Sequence, residues 1–244
     1  MSQPSSSASA EVTTPLQPAP DPAPLGLAAF SLANFMQALF ACGIDPALIP
    51  AAFFLELLTG GLVQLIAGIA EFRQGNRIGA TAFCLYGSYW ASFALYNRYI
   101  LPRLPAGEAH SGTGFFLLPW GVLTLLLTLA ALRTTGALLA AFVSATLAYC
   151  FLTPGEFVQS TVLLRIGGGF GFLTAAVGLY AMLAGLVNGT WGRHVIPTYP
   201  DPGRALARLA RDRPRALSIT SSAGETDLAR EAAQLRTEIG RHSA

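Results

Sequence analysis

Asp21-Pro22-Ala23-Pro24-Leu25-Gly26-Leu27 stands at the head of the first of six long apolar blocks, and its reading decides the fold. Asp21 is placed to accept from the first free N–H groups of a helix, while the prolines remove donors that would otherwise lack a partner there. A helix therefore starts at a defined point. The blocks run Leu25 to Cys42, Leu48 to Glu71, Ile78 to Leu101, Gly114 to Leu132, Gly136 to Leu152 and Val162 to Val187. A membrane helix needs roughly 20 apolar residues to cross about 30 Å of hydrocarbon.

Composition agrees with that reading. Hydrophobic residues make up 52% of the chain, charged residues 11%, and the mean hydropathy is +0.50. Such a balance is too apolar for an ordinary water-soluble domain. The blocks are also too long and continuous for the alternating strands of a membrane barrel. The expected class is all-α: a polytopic membrane protein with six transmembrane helices over 21–197, a Ser/Pro/Ala-rich disordered tail over 1–20, and an Arg-rich cytoplasmic tail over 198–244.

All 15 basic residues are arginine. Arg73 and Arg77 lie between the second and third blocks, Arg133 between the fourth and fifth, and Arg193 with eight more after the sixth. This bias places those loops, and both termini, in the cytoplasm. The first twenty residues contain no basic and apolar run of the signal-peptide kind. In the tail, Arg204, Arg208, Arg211 and Arg215 suit anionic lipid headgroups, although Pro214 interrupts a continuous helix. Asp227 to Ile239 reads as a short amphipathic helix. Nucleic-acid binding is poorly supported by so few, mixed charges.

The second block carries a small and polar stripe: Glu56, Gly60, Gln64, Gly68 and Glu71, spaced 4, 4, 4 and 3 apart. At 3.6 residues per turn they share one face. Glu56 facing lipid would cost on the order of 3 kcal/mol, so the stripe should face protein or a water-filled path. The glycines suit close helix packing, and Gln64 suits either an interhelical bond or a path. On the first block Phe30, Asn34 and Gln37 share a face, which fits a polar path under an aromatic gate or simple cross-helix bonding. The third presents Tyr86-Gly87-Ser88-Tyr89-Trp90. Tyr86 lies too deep for an interfacial belt, whereas Tyr96, Tyr99 and Trp120 suit one.

Cys42, Cys84 and Cys150 are far apart and read as small buried residues. His110, His194 and His242 have no partner at zinc-site spacing. No metal, cofactor or catalytic constellation is expected, and an enzyme is disfavoured. Gly167-Gly168-Gly169-Phe170-Gly171 lacks the spacing and the preceding strand of a nucleotide fingerprint and reads as helix packing. Arg165 either snorkels to the interface or pairs with Glu156.

Asp21 to Phe30, DPAPLGLAAF, resembles the NPAPLGL-type opening of the acetate uptake transporter family, which includes bacterial succinate/acetate permeases and fungal acetate transporters. Gly60-Gly61-Leu62-Val63-Gln64, Ala67-Gly68, Glu71-Phe72, Gly75-Asn76, Thr81-Ala82-Phe83 and Tyr86 to Trp90 resemble that family's second and third helices in order and spacing. Trp120-Gly121 with Thr124 resembles the fourth helix. Ala184-Gly185, Asn188, Gly192-Arg193 and Ile196-Pro197 resemble the end of the sixth.

The resemblance implies a hexamer of six-helix protomers in the cell membrane, each passing small carboxylates such as acetate, and succinate in the wider case. It also implies an apolar constriction of Phe, Tyr and Leu from the first, third and fifth helices. Phe30 and Tyr86 match. The fifth-helix match falls on Ala145, a departure that widens the constriction unless Leu147 or Tyr149 fills the space. Asp21 in place of Asn, and Glu56 in place of a small or apolar residue, are further departures.

A bare carboxylate is strongly disfavoured in an apolar ring. We therefore expect proton-coupled uptake, with Glu56 and Glu71 as candidate proton carriers. The positive end of the first helix near Leu25 and Gly26 is a candidate meeting point for the carboxylate, and Asn34, Gln37, Gln64 and Ser88 are candidate hydrogen-bonding groups along the path. The expected partners are a small carboxylate, a proton, the lipid bilayer and further copies of the chain. The alternatives are a passive channel for small neutral solutes or ammonia, and a non-conducting membrane scaffold or sensor.

Overall fold

A computed structural model gives the fold and describes residues 19–199 and 201. The expected tail up to residue 18, and the Arg-rich segment from 202 onward with its amphipathic stretch, lie outside the described residues. No strand occurs among the described residues.

Six long helices follow one another. Helix α1 is Ala23–Ala41. Asp21 sits one residue before the N-cap, which is Pro22, and its Oδ1 accepts the Ala23 N–H at 2.9 Å. Helix α2 spans Leu55–Gln74 and begins later than expected, because the preceding Pro46–Ala52, with Pro50 inside it, forms a short 3₁₀ helix capped by Asp45. Its first part, Leu55–Val63, is wound as a π-helix. Gly75, at φ 75°, ends it in a left-handed turn that side chains resist. Asn76 then caps α3, Arg77–Leu95, through Gly79 N–H. A second π-helical stretch, Tyr96–Ile100, prolongs α3 to a short turn at Leu101–Arg103.

Helix α4, Ala109–Ala131, starts before its expected bound, and α5, Gly136–Phe157, runs on past Pro154. Helix α6, Thr161–Trp191, has 31 residues; at 1.5 Å per residue it is about 46 Å long, more than a bilayer core needs. The chain then folds back: Asn188 Oδ1 accepts the N–H groups of Val195 and Ile196, and Tyr180 donates to the Pro197 carbonyl at 2.5 Å.

The chain is an all-α polytopic membrane protein. Helices α1, α2, α4, α5 and α6 are each long and apolar enough to cross a membrane. Helix α3 falls outside that set and is the most buried of the six: ten of its 19 residues are buried, and Tyr and Ser take the place of aliphatic side chains. It packs along α2, while α6 packs against α1 and α5, and α4 against α5.

Several sequence expectations change. Cys150 is exposed and Cys42 and Cys84 half-buried, so none is a core residue; in a membrane protein, apolar positions also face outward. Tyr96 stacks on Phe116 at 5.0 Å, and Trp120 meets Tyr89 edge-on at 5.1 Å, so both belong to an internal aromatic cluster and only Tyr99 of the three is exposed. Glu156 takes His110, at 2.7 Å, rather than Arg165.

Candidate functional site

The inner faces of α1, α3 and α5 meet at Phe30, Tyr86 and Ala145. The Phe30 and Tyr86 rings lie 5.3 Å apart at 45°. Tyr86 is buried and its hydroxyl is 2.8 Å from the Thr124 hydroxyl on α4, which in turn donates to the Trp120 carbonyl. This anchor fixes the ring and uses up its polar tip, so Tyr86 shows an apolar face to its neighbours. Ala145 contributes only a methyl group. Leu147 is exposed and does not fill the missing volume, whereas Tyr149 lines the space beside Ala145.

Two small cavities lie on either side of this trio, and Phe30, Tyr86 and Ala145 line both. The upper one, towards the end of α1, has a volume of about 40 Å³ and adds Asn34, Gln37, Trp90 and Tyr149 to its walls. The lower one, towards the start of α1, is about 30 Å³ and adds Leu27, Gln64 and Phe142. A water needs roughly 10–15 Å³ of such space, so each holds a few waters at most. A solute must shed nearly all its hydration to pass.

Above the upper cavity opens a vestibule of about 400 Å³, which shares Gln37, Tyr89 and Leu152 with it. His110 and Glu156 stand in the vestibule wall. A side chamber of about 330 Å³ adjoins the vestibule through Ile49 and Asn97 and contains Glu56 and Arg98. Both π-helical stretches line this chamber, one with Glu56 and the other with Asn97 and Arg98. Local π winding often marks a functional position in a helix.

The α2 stripe faces inward throughout: Glu56, Gly60, Gln64, Gly68 and Glu71 are all buried. Its members do different things. Gly60 lies against Trp90 and Ala33, where a methyl would come within 2.8 Å of Trp90 Cγ. Gln64 lines the lower cavity, with neither end of its carboxamide paired. Glu71 lies against Gly79 at the start of α3, beside the cap that Asn76 makes there.

The candidate hydrogen-bonding groups also separate. Asn34 lines the upper cavity but gives its Nδ2 to the Gly171 carbonyl at 2.6 Å. Gln37 joins the upper cavity to the vestibule. Ser88 is exposed and donates to the Leu85 carbonyl at 2.7 Å, on the face of α3 opposite Tyr86. At the start of α1, Asp21 takes the Ala23 N–H, Gly26 N–H donates to the Pro22 carbonyl, and prolines supply none, so this end offers little to an anion. Gly26 is packed on the Phe83 ring instead. Trp90, which the sequence reading left in an aromatic cluster, proves to be a wall of the upper cavity.

A model of the GPR1/FUN34/yaaH family matches residues 7–202. The chain belongs to this family. It is 30% identical to the succinate-acetate/proton symporter SatP of Escherichia coli over 72% of this chain and 94% of that one. Acetate permease A of Emericella nidulans is 31% identical over 79% of this chain and 70% of its own length. The ammonia transport outward protein 2 of Saccharomyces cerevisiae is 34% identical over 71% and 65%. Among solved structures, the bacterial acetate channel SatP matches with a TM-score of 0.69 and 28% identity, over 74% of this chain and 99% of that one. The resemblance first seen in DPAPLGL thus extends to the whole helical bundle.

Proposed function

We propose that the chain carries small carboxylic acids, acetate first and succinate in the wider case, across a cell membrane through a path within each protomer. The observation that supports this most directly is that two small cavities meet at Phe30, Tyr86 and Ala145, with a wider vestibule beyond that carries Gln37, Asn97, His110 and Glu156 on largely apolar walls. The relatives named for acetate and succinate transport agree with it. In this reading α3 is the sixth span, both termini are cytoplasmic, six copies form a hexamer, and the vestibule faces outward. The role is transport rather than catalysis.

Uptake is proton-linked in this reading, as the name of the E. coli relative states for that protein. Glu56 and Glu71 are set apart from the constriction, one in the side chamber and one at the start of α3. A passive path for ammonia is the second reading, favoured by the yeast relative's name and by the lack of any charged side chain on the two constriction cavities.

Radiolabelled acetate uptake into proteoliposomes, with and without an inward proton gradient, tests the proposal. Saturable uptake above that of protein-free liposomes, raised by the gradient, is the expected result. Transport of ammonia with no acetate uptake would favour the second reading.

A further inference from the structure

Five buried side-chain polar atoms among the described residues lack a hydrogen-bond partner: Ser31 Oγ, Gln64 Nε2 and Oε1, Glu71 Oε1 and Trp90 Nε1. Buried polar groups are nearly always paired, and a tryptophan N–H usually finds an acceptor. Three of the five belong to residues that line the constriction cavities, Trp90 above and Gln64 below. Both residues are almost completely buried, at 2% and 0% exposure.

We propose that Trp90 and Gln64 are paired hydrogen-bonding stations on the two sides of the constriction, and that the Gln64 carboxamide takes the acid in its protonated form, so that the proton crosses on the substrate. This rests on the reading of the chain as a carboxylic-acid transporter and says how the acid replaces its lost water. The indole is donor-only and serves the carbonyl oxygen of either form. A carboxamide is the complement of a neutral carboxyl group: Nε2 donates to the C=O, and Oε1 accepts from the O–H. Against a bare carboxylate, Oε1 would meet a second negative oxygen with no proton between them.

The lower cavity reinforces that preference. Helix α1 contributes Leu27 and Phe30, α5 contributes only apolar residues, and the one titratable group facing Gln64 is Tyr86 of α3, whose hydroxyl is held by Thr124. No Arg, His, Asp or Glu lines it. A bare carboxylate there would have no counter-charge. The proton joins the acid in the vestibule and leaves it beyond the lower cavity, and no covalent bond other than O–H is made or broken. Gly60 sets the upper station, since its missing side chain leaves the place the Trp90 indole occupies.

Gln64→Met removes the carboxamide at nearly constant volume, and Trp90→Phe removes the indole N–H together with part of the ring system. In proteoliposomes with an acidic exterior, each should raise the acetate KM roughly tenfold, the effect of losing one strong hydrogen bond, with Vmax much less changed. Gln64→Met should also blunt the response to external acidity. The purified Gln64→Met variant should unfold at the same temperature as the native protein or higher, because two unpaired buried polar atoms are removed at little change of volume. A native protein without acetate uptake would overturn the transport reading, and the stations with it. A native protein that transports, beside variants of unchanged KM, would overturn the stations alone. A lower unfolding temperature in Gln64→Met would show its carboxamide to be structural, and uptake that follows the ionised fraction of acetate would overturn the protonated form.

Discussion

The Phe30 and Tyr86 rings, 5.3 Å apart and tilted by 45°, leave the third side of the constriction to the methyl group of Ala145. The width of the path in this chain therefore depends on one small residue of α5. Ala145→Leu adds three carbons there. We expect it to lower succinate uptake roughly tenfold, the rate equivalent of about 1–2 kcal/mol of overpacking, and acetate uptake much less. Competition of each acid with labelled acetate measures both; an equal loss would place Ala145 outside the selective step.

Tyr86 is held by Thr124 at 2.8 Å, but Thr124 keeps its own bond to the Trp120 carbonyl. Tyr86→Phe should therefore cost about 1 kcal/mol of stability and leave acetate flux largely intact, since the ring supplies the gate. Unfolding in detergent and uptake in liposomes, measured on one preparation, check this. Loss of flux without loss of stability would give the hydroxyl a role in the path.

Gly60→Ala and Gly169→Ala make a matched pair. A methyl at Gly60 meets Ala33 Cβ at 2.6 Å and Trp90 Cγ at 2.8 Å, whereas one at Gly169 meets nothing within 4 Å. The first should destabilise the protein by roughly 1–3 kcal/mol, and the second should leave it unchanged or raise stability by up to about 1 kcal/mol through helix propensity. Thermal unfolding of the two purified variants gives the comparison, and similar midpoints would contradict the α2–α3 packing described above.

If the proton rides on the acid, no carboxylate of the protein is needed to carry it. Glu56→Gln and Glu71→Gln should then keep gradient-stimulated acetate uptake. Abolition of the gradient response in either variant, with uptake retained, would make that residue the carrier.

Much of this was legible in the sequence, and the rest failed for identifiable reasons. Apolar blocks fixed the helices, and the DPAPLGL resemblance led to Phe30, Tyr86 and Ala145. The four-residue spacing in α2 foretold a buried stripe from Glu56 to Glu71. Ser88 lies on the other side of α3 from Tyr86, because residues two positions apart do not share a helix face. By the same rule Trp90, four positions on, shares the Tyr86 face, so the signal for it was present but hidden in an aromatic run. Nothing local to Glu71 shows that the turn at Gly75 brings Asn76 and Gly79 back to it. Nor does hydropathy reveal that α3 is the most buried helix, since burial among other helices permits polar side chains there.

The most direct test of the account is the initial rate of labelled acetate uptake by the native protein in proteoliposomes, with an acidic exterior and then with no gradient, against protein-free liposomes. The account predicts saturable uptake above the leak that rises with the gradient. Uptake no faster than leak under both conditions would contradict it.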